Sequence, residues 1–219
     1  MKRSIILYLS ICSVGFIVFS CSKEEEPIPI PINEPNNIVL VNIQDSLNNN
    51  VPITDLLTQF PVDSLFGKTY QGGLIFYITT FNNFGLIVAP YDQGYKPWEN
   101  PLNWTPTGAN LSYPGGGQMN TTTIVNILGA GDYAAYLCDT LTINGYSDWY
   151  LPNTNEFKSM FDNLFIKNIG NFTDGTIYWT SLEYNNGNAY VSNIGTGHGQ
   201  SSKGKDSHKH VRAARIFNF

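Results

Sequence analysis

The run Asn144-Gly145-Tyr146-Ser147-Asp148-Trp149-Tyr150-Leu151-Pro152-Asn153-Thr154-Asn155-Glu156-Phe157 packs a turn, a strand, a stop and a helix start into fourteen residues. Gly145 permits the turn. Tyr146, Trp149, Tyr150 and Leu151 are large apolar bodies, and three of them carry an O–H or N–H that wants a partner when buried. Pro152 has no N–H to give to a ladder and ends the extended run. Asn153 or Thr154 then caps a helix that carries Glu156, with Phe157, Met160, Phe161 and Leu164 at helical spacing. The stretch reads as a fold keystone and not as a catalytic centre.

The chain around it falls into four parts. Residues 1–20 form a targeting segment: Lys2 and Arg3 are a basic start, and Ile5 to Phe19 is an apolar core. It ends Val18-Phe19-Ser20-Cys21, which resembles a bacterial lipoprotein signal in which Cys21 becomes the lipidated N-terminus. Acyl chains there would hold the protein on a membrane. Residues 21–37 follow as a tether, first Ser22-Lys23-Glu24-Glu25-Glu26 and then a proline-alternating spacer from Pro27 to Pro35. The acidic run is a solvated charge cluster, and it also resembles the signal that places some lipoproteins on the outer face of an outer membrane. Residues 38–67 are an N-terminal lead-in, with a short helix expected from Thr54 to Phe60 before Pro61. Residues 68–219 are the main domain.

The full chain has a net charge of −5, and removing residues 1–20 takes away Lys2 and Arg3 but no acidic group, giving −7. An acidic surface argues against a nucleic-acid partner. Of the three cysteines, Cys12 lies in the targeting segment and Cys21 takes lipid, so Cys138 is left unpaired. It reads as a buried small hydrophobe on a helix, and the domain gets no internal disulfide.

Gly73 to Thr80 and Gly85 to Pro90 are near-continuous apolar strands around Asn82-Asn83-Phe84, a hairpin buried on both faces. Residues 91–119 read as a long, defined loop carrying Tyr95, Trp98, Trp104 and Tyr113. Asn120 is the expected cap of a helix to Leu128, and Asp132 that of a second. Tyr178 to Glu183 is a strand, and Asn188 to Ile194 and Val211 to Phe217 read as arms of a closing hairpin. The segment between them, Gly195 to His210, reads as a mobile polar loop.

Three pieces now stand in order: Gly72-Gly73-Leu74-Ile75-Phe76, then Gly145-Tyr146-Ser147-Asp148-Trp149-Tyr150-Leu151-Pro152 before Glu156, then Tyr178-Trp179-Thr180-Ser181 with Val211-Arg212-Ala213-Ala214-Arg215. Together they resemble the Lcl C-terminal domain family of bacterial surface proteins, over roughly residues 68–219. The resemblance implies an α+β, C-type-lectin-like fold, related also to the formylglycine-generating enzymes: an irregular antiparallel sheet, two main helices and long loops. It also implies a non-catalytic binding role, since the family's namesake adhesin is associated with sulfated polysaccharide and host surfaces.

The residues narrow this further. Formylglycine-generating chemistry uses two cysteines, and the mature domain has Cys138 alone. Calcium-dependent lectins use Glu-Pro-Asn; Glu34-Pro35-Asn36 occurs here, but in the tether. No metal and no other cofactor is expected. His208 and His210 share a strand face, as metal ligands sometimes do, without an obvious third ligand. Lys203, Lys205 and Lys209 offer a small basic patch for a sulfated glycan. Trp98 and Trp104, with Tyr95 and Tyr113, are either sugar platforms on loops or a satellite core beneath one. Trp149 and Trp179 belong to the core. Arg212 and Arg215 are expected on opposite sides of a strand, one solvated and the other paired inside with Asp148 or Glu156. An acid–base role for Asp148 and Glu156 lacks a nucleophile nearby. The expectation is a surface lipoprotein on the outer membrane whose domain binds an extracellular glycan. The alternative is a module binding an envelope or host protein.

Overall fold

In the computed structural model, described over residues 42–100, 103–195 and 198–219, the keystone joins four elements instead of forming a strand. Asn144 and Gly145 make the turn with φ of 51° and 84°, closed by the Ile143–Tyr146 pair. Tyr150 exchanges backbone hydrogen bonds with Ala214, Leu151 N–H donates to the Thr121 hydroxyl, and Ser181 N–H donates to the Pro152 carbonyl. Each residue therefore spends its backbone groups on a different neighbour, which excludes a continuous ladder.

The elements these contacts hold are two sheets and five α-helices among the described residues. The first sheet is antiparallel, in the order β1 (Thr69–Tyr70), β2 (Gly73–Thr79), β3 (Phe84–Val88) and β9 (Ala214–Asn218). The expected hairpin of β2 and β3 is present, with a bulge between Ile75 and Tyr77. β9 lies so close to β3 that a Cβ on Gly85 would sit 2.2 Å from the Phe217 ring, so no larger residue fits there. The second sheet runs β4 (Gly94–Lys96), β8 (Lys209–Val211), β5 (Thr176–Asn185), β6 (Asn188–Ile194) and β7 (Gly199–Gly204). It is antiparallel except where β5 meets β8 at Tyr178 and His210. The architecture is mixed α+β, as expected, but with two sheets where one irregular sheet was expected.

The helices are α1 (Ile43–Asn48), α2 (Ile53–Gln59), α3 (Gly116–Leu128), α4 (Ala134–Asp139) and α5 (Thr154–Asn163). α5 starts as its sequence dictates. Asn153 caps it, and Glu156 returns the bond to the Asn153 N–H at 2.7 Å, a complete capping box. Phe157, Met160 and Leu164 of that segment pack with Phe76, Leu86, Val88 and Tyr178 in one core cluster, while Trp98, Trp149 and Trp179 anchor the other. Cys138 is buried in that second cluster, and burial pushes its thiol far above the usual range. No helix among the described residues is long and apolar enough to cross a membrane.

Several expectations are corrected. α3 begins at Gly116, and Asn120 lies inside it, its side chain bonded to Leu111 and Ser181. α4 is preceded by Tyr133, not capped by Asp132, and α2 by Pro52, not Thr54. Val211 to Phe217 is no hairpin arm to β6: the chain leaves β8 after Val211 and enters β9 in the other sheet at Ala214. Within 195–210, β7 pairs with β6 over six residues, so a strand stands where a mobile loop was expected. The targeting segment, Cys21, the tether and residues 38–41 lie outside the described residues.

Candidate functional site

β4 and β8 pair so that Tyr95 stands opposite His210. The strand period of two then puts His208 and His210 beside the same ring, their centroids 5.7 and 5.2 Å from that of Tyr95. Tyr95 remains 56 % exposed and forms one wall of a cleft of about 340 Å³. Asp174, Gly175, Thr176 and Ile177 line the side towards β5, and Lys209 and His210 line the side on β8. That volume lies within the range of small-ligand sites, about 300–1,000 Å³.

The cleft rests on a buried cation. Arg212 is fully buried, and its Nε donates to Asp92 Oδ1 at 2.6 Å. Nη1 donates to the Ala89 and Gly170 carbonyls at 3.0 and 2.8 Å, Nη2 to that of Asn171 at 3.2 Å, and the guanidinium stacks 4.3 Å over Phe172. Asp92 Oδ2 in turn meets His210 Nδ1 at 3.0 Å and accepts from the Tyr178 hydroxyl at 3.2 Å. Burial, joined by Asp92, raises that hydroxyl beyond its ordinary range against the pull of Arg212. Arg212 thus fixes both the 170–171 turn leading to Asp174 and the carboxylate holding His210. Lys209 is lowered from the usual lysine range, chiefly by burial and then by Lys203. An aromatic plate ringed by an imidazole, an ammonium and a carboxylate offers stacking and hydrogen bonds.

The other expected ligand residues do not join it. Trp98 is 1 % exposed, with its Nε1 donating to the Thr180 carbonyl at 2.9 Å, so it is a core residue and not a sugar platform. Trp104 is half exposed, with φ of 56°, its ring lying against Gly187 at the β5–β6 turn. Tyr113 is exposed where the loop approaches α3, its carbonyl held by Asn153 Nδ2. Lys203 is exposed on β7. Lys205 is fully buried and leaves the proposed basic patch: its Nζ donates to Glu183 Oε1 at 2.6 Å and to the Thr105 carbonyl at 2.9 Å. Glu99 Oε2 lies 3.5 Å from the same nitrogen, and the Trp98 ring 4.7 Å.

Of the residues expected to be structural, Arg215 meets Asp148, one of the two partners expected, while Arg212 and Glu156 have other partners. Trp149 and Trp179 are buried and donate to the Tyr146 and Lys96 carbonyls. Arg215 binds Asp148 and Gln71 and stacks 4.1 Å over Tyr146. Arg212 pairs with Asp92, so neither arginine is solvated, a correction to the strand-alternation argument: the chain changes sheets between them. Glu156 is fully buried and is bonded by the Gly115, Gly117 and Asn153 N–H groups and the Tyr150 hydroxyl. A Cβ on Gly117 would lie 2.5 Å from Glu156 Oε2. The glycine-rich start of α3 is filled by the protein's own carboxylate. Burial pushes Glu156 up to about 7 against those hydrogen bonds. Among the described residues no three His, Cys, Asp or Glu side chains are placed to hold a metal ion.

Sequence reasoning missed Asp92 and Asp174. The available signal was the His208–His210 alternation opposite an aromatic strand residue. No protein-family model matches the chain, and no curated protein matches it. Among solved structures it is similar to a fimbrial protein from Bacteroides ovatus, at 18% identity and a TM-score of 0.43, covering 62% of this chain and 36% of that one.

Proposed function

We propose that the protein is a non-catalytic binding domain, carried on the outer surface of an outer membrane by lipid at Cys21, that takes an extracellular glycan in the Tyr95 cleft. The observation that carries the reading is the half-exposed Tyr95 ring over a cleft whose polar walls are braced from beneath by Arg212 and Asp92. A sugar presents an apolar ring face and a rim of hydroxyls. Tyr95 suits the face, and Asp174, His210 and Lys209 suit the rim. A preorganised wall avoids the ordering cost that weakens loop-built sites.

The test is a glycan array on residues 38–219, with and without calcium. A hit that falls at least tenfold with Tyr95→Ala and with Asp174→Ala, while the circular dichroism is unchanged, supports the reading. A hit indifferent to both changes removes the cleft from it. A clean array with folded protein favours the second reading, a module of an envelope assembly that binds protein. The observation favouring that reading is the exposed Trp104 and Tyr184, which lie outside the cleft lining. Pull-down from an envelope extract, with Trp104→Ala as control, then decides it.

A further inference from the structure

The buried Lys205 centre has the parts of an acyl-transfer site, with the acyl group supplied by the protein itself. Glu99 is 1 % exposed. Its Oε1 accepts from the Asn103 and Thr105 N–H groups, each at 3.1 Å. Its Oε2 is buried and, among the described residues, has no hydrogen-bond partner. An orphaned buried carboxylate oxygen is costly in an ordinary ion pair, where every lone pair is normally met. Here it sits 3.5 Å from Lys205 Nζ, while Glu183 Oε1 holds that nitrogen at 2.6 Å. Burial raises Glu183, but its bonds from Lys205, Gly108 and Thr107 outweigh this and keep it below the usual range, as an ionised base.

We propose that Lys205 and Glu99 condense to an intramolecular amide, with Glu183 as the proton carrier. Nζ bonds to Cδ of Glu99. The two backbone N–H groups on Oε1 stabilise the charge of the tetrahedral intermediate, as an oxyanion hole does. The Cδ–Oε2 bond breaks. Nζ goes from three protons to one, and the two it loses leave with Oε2 as water, ferried by Glu183, which is regenerated. No oxidant or external reactant is needed. Before reaction the centre holds one ammonium and two carboxylates, a net −1; afterwards Glu183 alone keeps that −1 and its Thr107 and Gly108 bonds. The orphaned oxygen is gone. The Trp98 ring lies 4.7 Å from Nζ and is itself buried. The link would clamp the 99–108 segment to the end of β7, an arrangement suited to a domain with no disulfide outside the cell.

The experiment is peptide mapping by mass spectrometry on the purified full chain, digested after denaturation. The expected result is a branched species joining the peptide containing Glu99 to that containing Lys205, lighter than their sum by one water, with the fragment spectrum placing the link on those two residues. Glu183→Gln should leave most of the chain unlinked, while Lys203→Arg should leave the link intact. Recovery of the two peptides only as separate species from the natural chain overturns the proposal, as does a link to Glu183. A full link in Glu183→Gln overturns the carrier role.

Discussion

Glu156 owes its position to donors that carry no formal charge, and this makes its energetics depend on pH. Its carboxyl is raised from 4.5 to about 7 by burial, against three backbone N–H bonds and the Tyr150 hydroxyl. Between those two values the folded chain binds more protons here than the unfolded chain. This contribution to stability is therefore full below pH 4.5 and falls as pH rises through 7. The span corresponds to at most about 3 kcal/mol. Glu156→Gln removes the titration and sets an amide NH₂ against N–H donors, costing about 1–3 kcal/mol. Urea unfolding at pH 5 and pH 8 should show the wild type losing more stability over that interval than Glu156→Gln. Parallel losses would mean that Glu156 is ionised throughout. The capping role was legible in Asn153-Thr154-Asn155-Glu156, a purely local pattern. The second set of partners, Gly115 and Gly117, lies about forty residues away, and no local spacing announces it.

At the scale of elements, the same distance rule separates what the sequence disclosed from what it hid. The β2–β3 hairpin, the start of α5 and the burial of Trp149 follow from neighbours in the chain. The start of α3 does not, because Gly115-Gly116-Gly117 is a poor helix opening on propensity alone, and Glu156 accepts from its Gly115 and Gly117 N–H groups. Gly117→Ala improves propensity yet drives a methyl to within 2.5 Å of Glu156 Oε2 and 2.7 Å of the Tyr150 ring. It should lose about 1–3 kcal/mol in urea unfolding, and a gain would show that the α3–α5 contact yields easily. Lys205 was misread, and Trp98 was left between two readings, for the same reason: lysine and aromatic side chains on a glycine-rich segment look solvated until Glu183 and β5 cover them. Arg212 sits where the chain passes from β8 to β9, and alternation along one strand fails at such a crossing. Arg212→Lys keeps the charge but cannot span Asp92 and three carbonyls from one ammonium. We expect a loss of about 3 kcal/mol and weaker ligand capture in the Tyr95 cleft. An unchanged unfolding midpoint would remove Arg212 as its brace.

For the whole molecule, the separation between a folded domain and its proposed anchor makes the two independently testable. The domain's polar centres at Arg212, Arg215 and Lys205 find their partners among the described residues. The proposed attachment is at Cys21, on the order basic start, apolar core, small residue, cysteine. Each buried acyl methylene contributes about 0.8 kcal/mol, so two or more chains hold a protein on a membrane, whereas an acidic surface adds no attraction to anionic lipid. Cys21→Ser should therefore move the protein wholly from the detergent phase to the aqueous phase on partitioning, with its unfolding midpoint unchanged. If it stays with the detergent, the apolar run from Ile5 to Phe19 is retained as the anchor and lipid is not what holds it. Neutralising Glu24, Glu25 and Glu26 together separates anchoring from display. Surface export driven by that run predicts that protease added to intact cells no longer digests the domain, although the protein still partitions with detergent. Digestion at the wild-type rate would leave the acidic run as a solvated spacer and place the routing signal elsewhere in the chain.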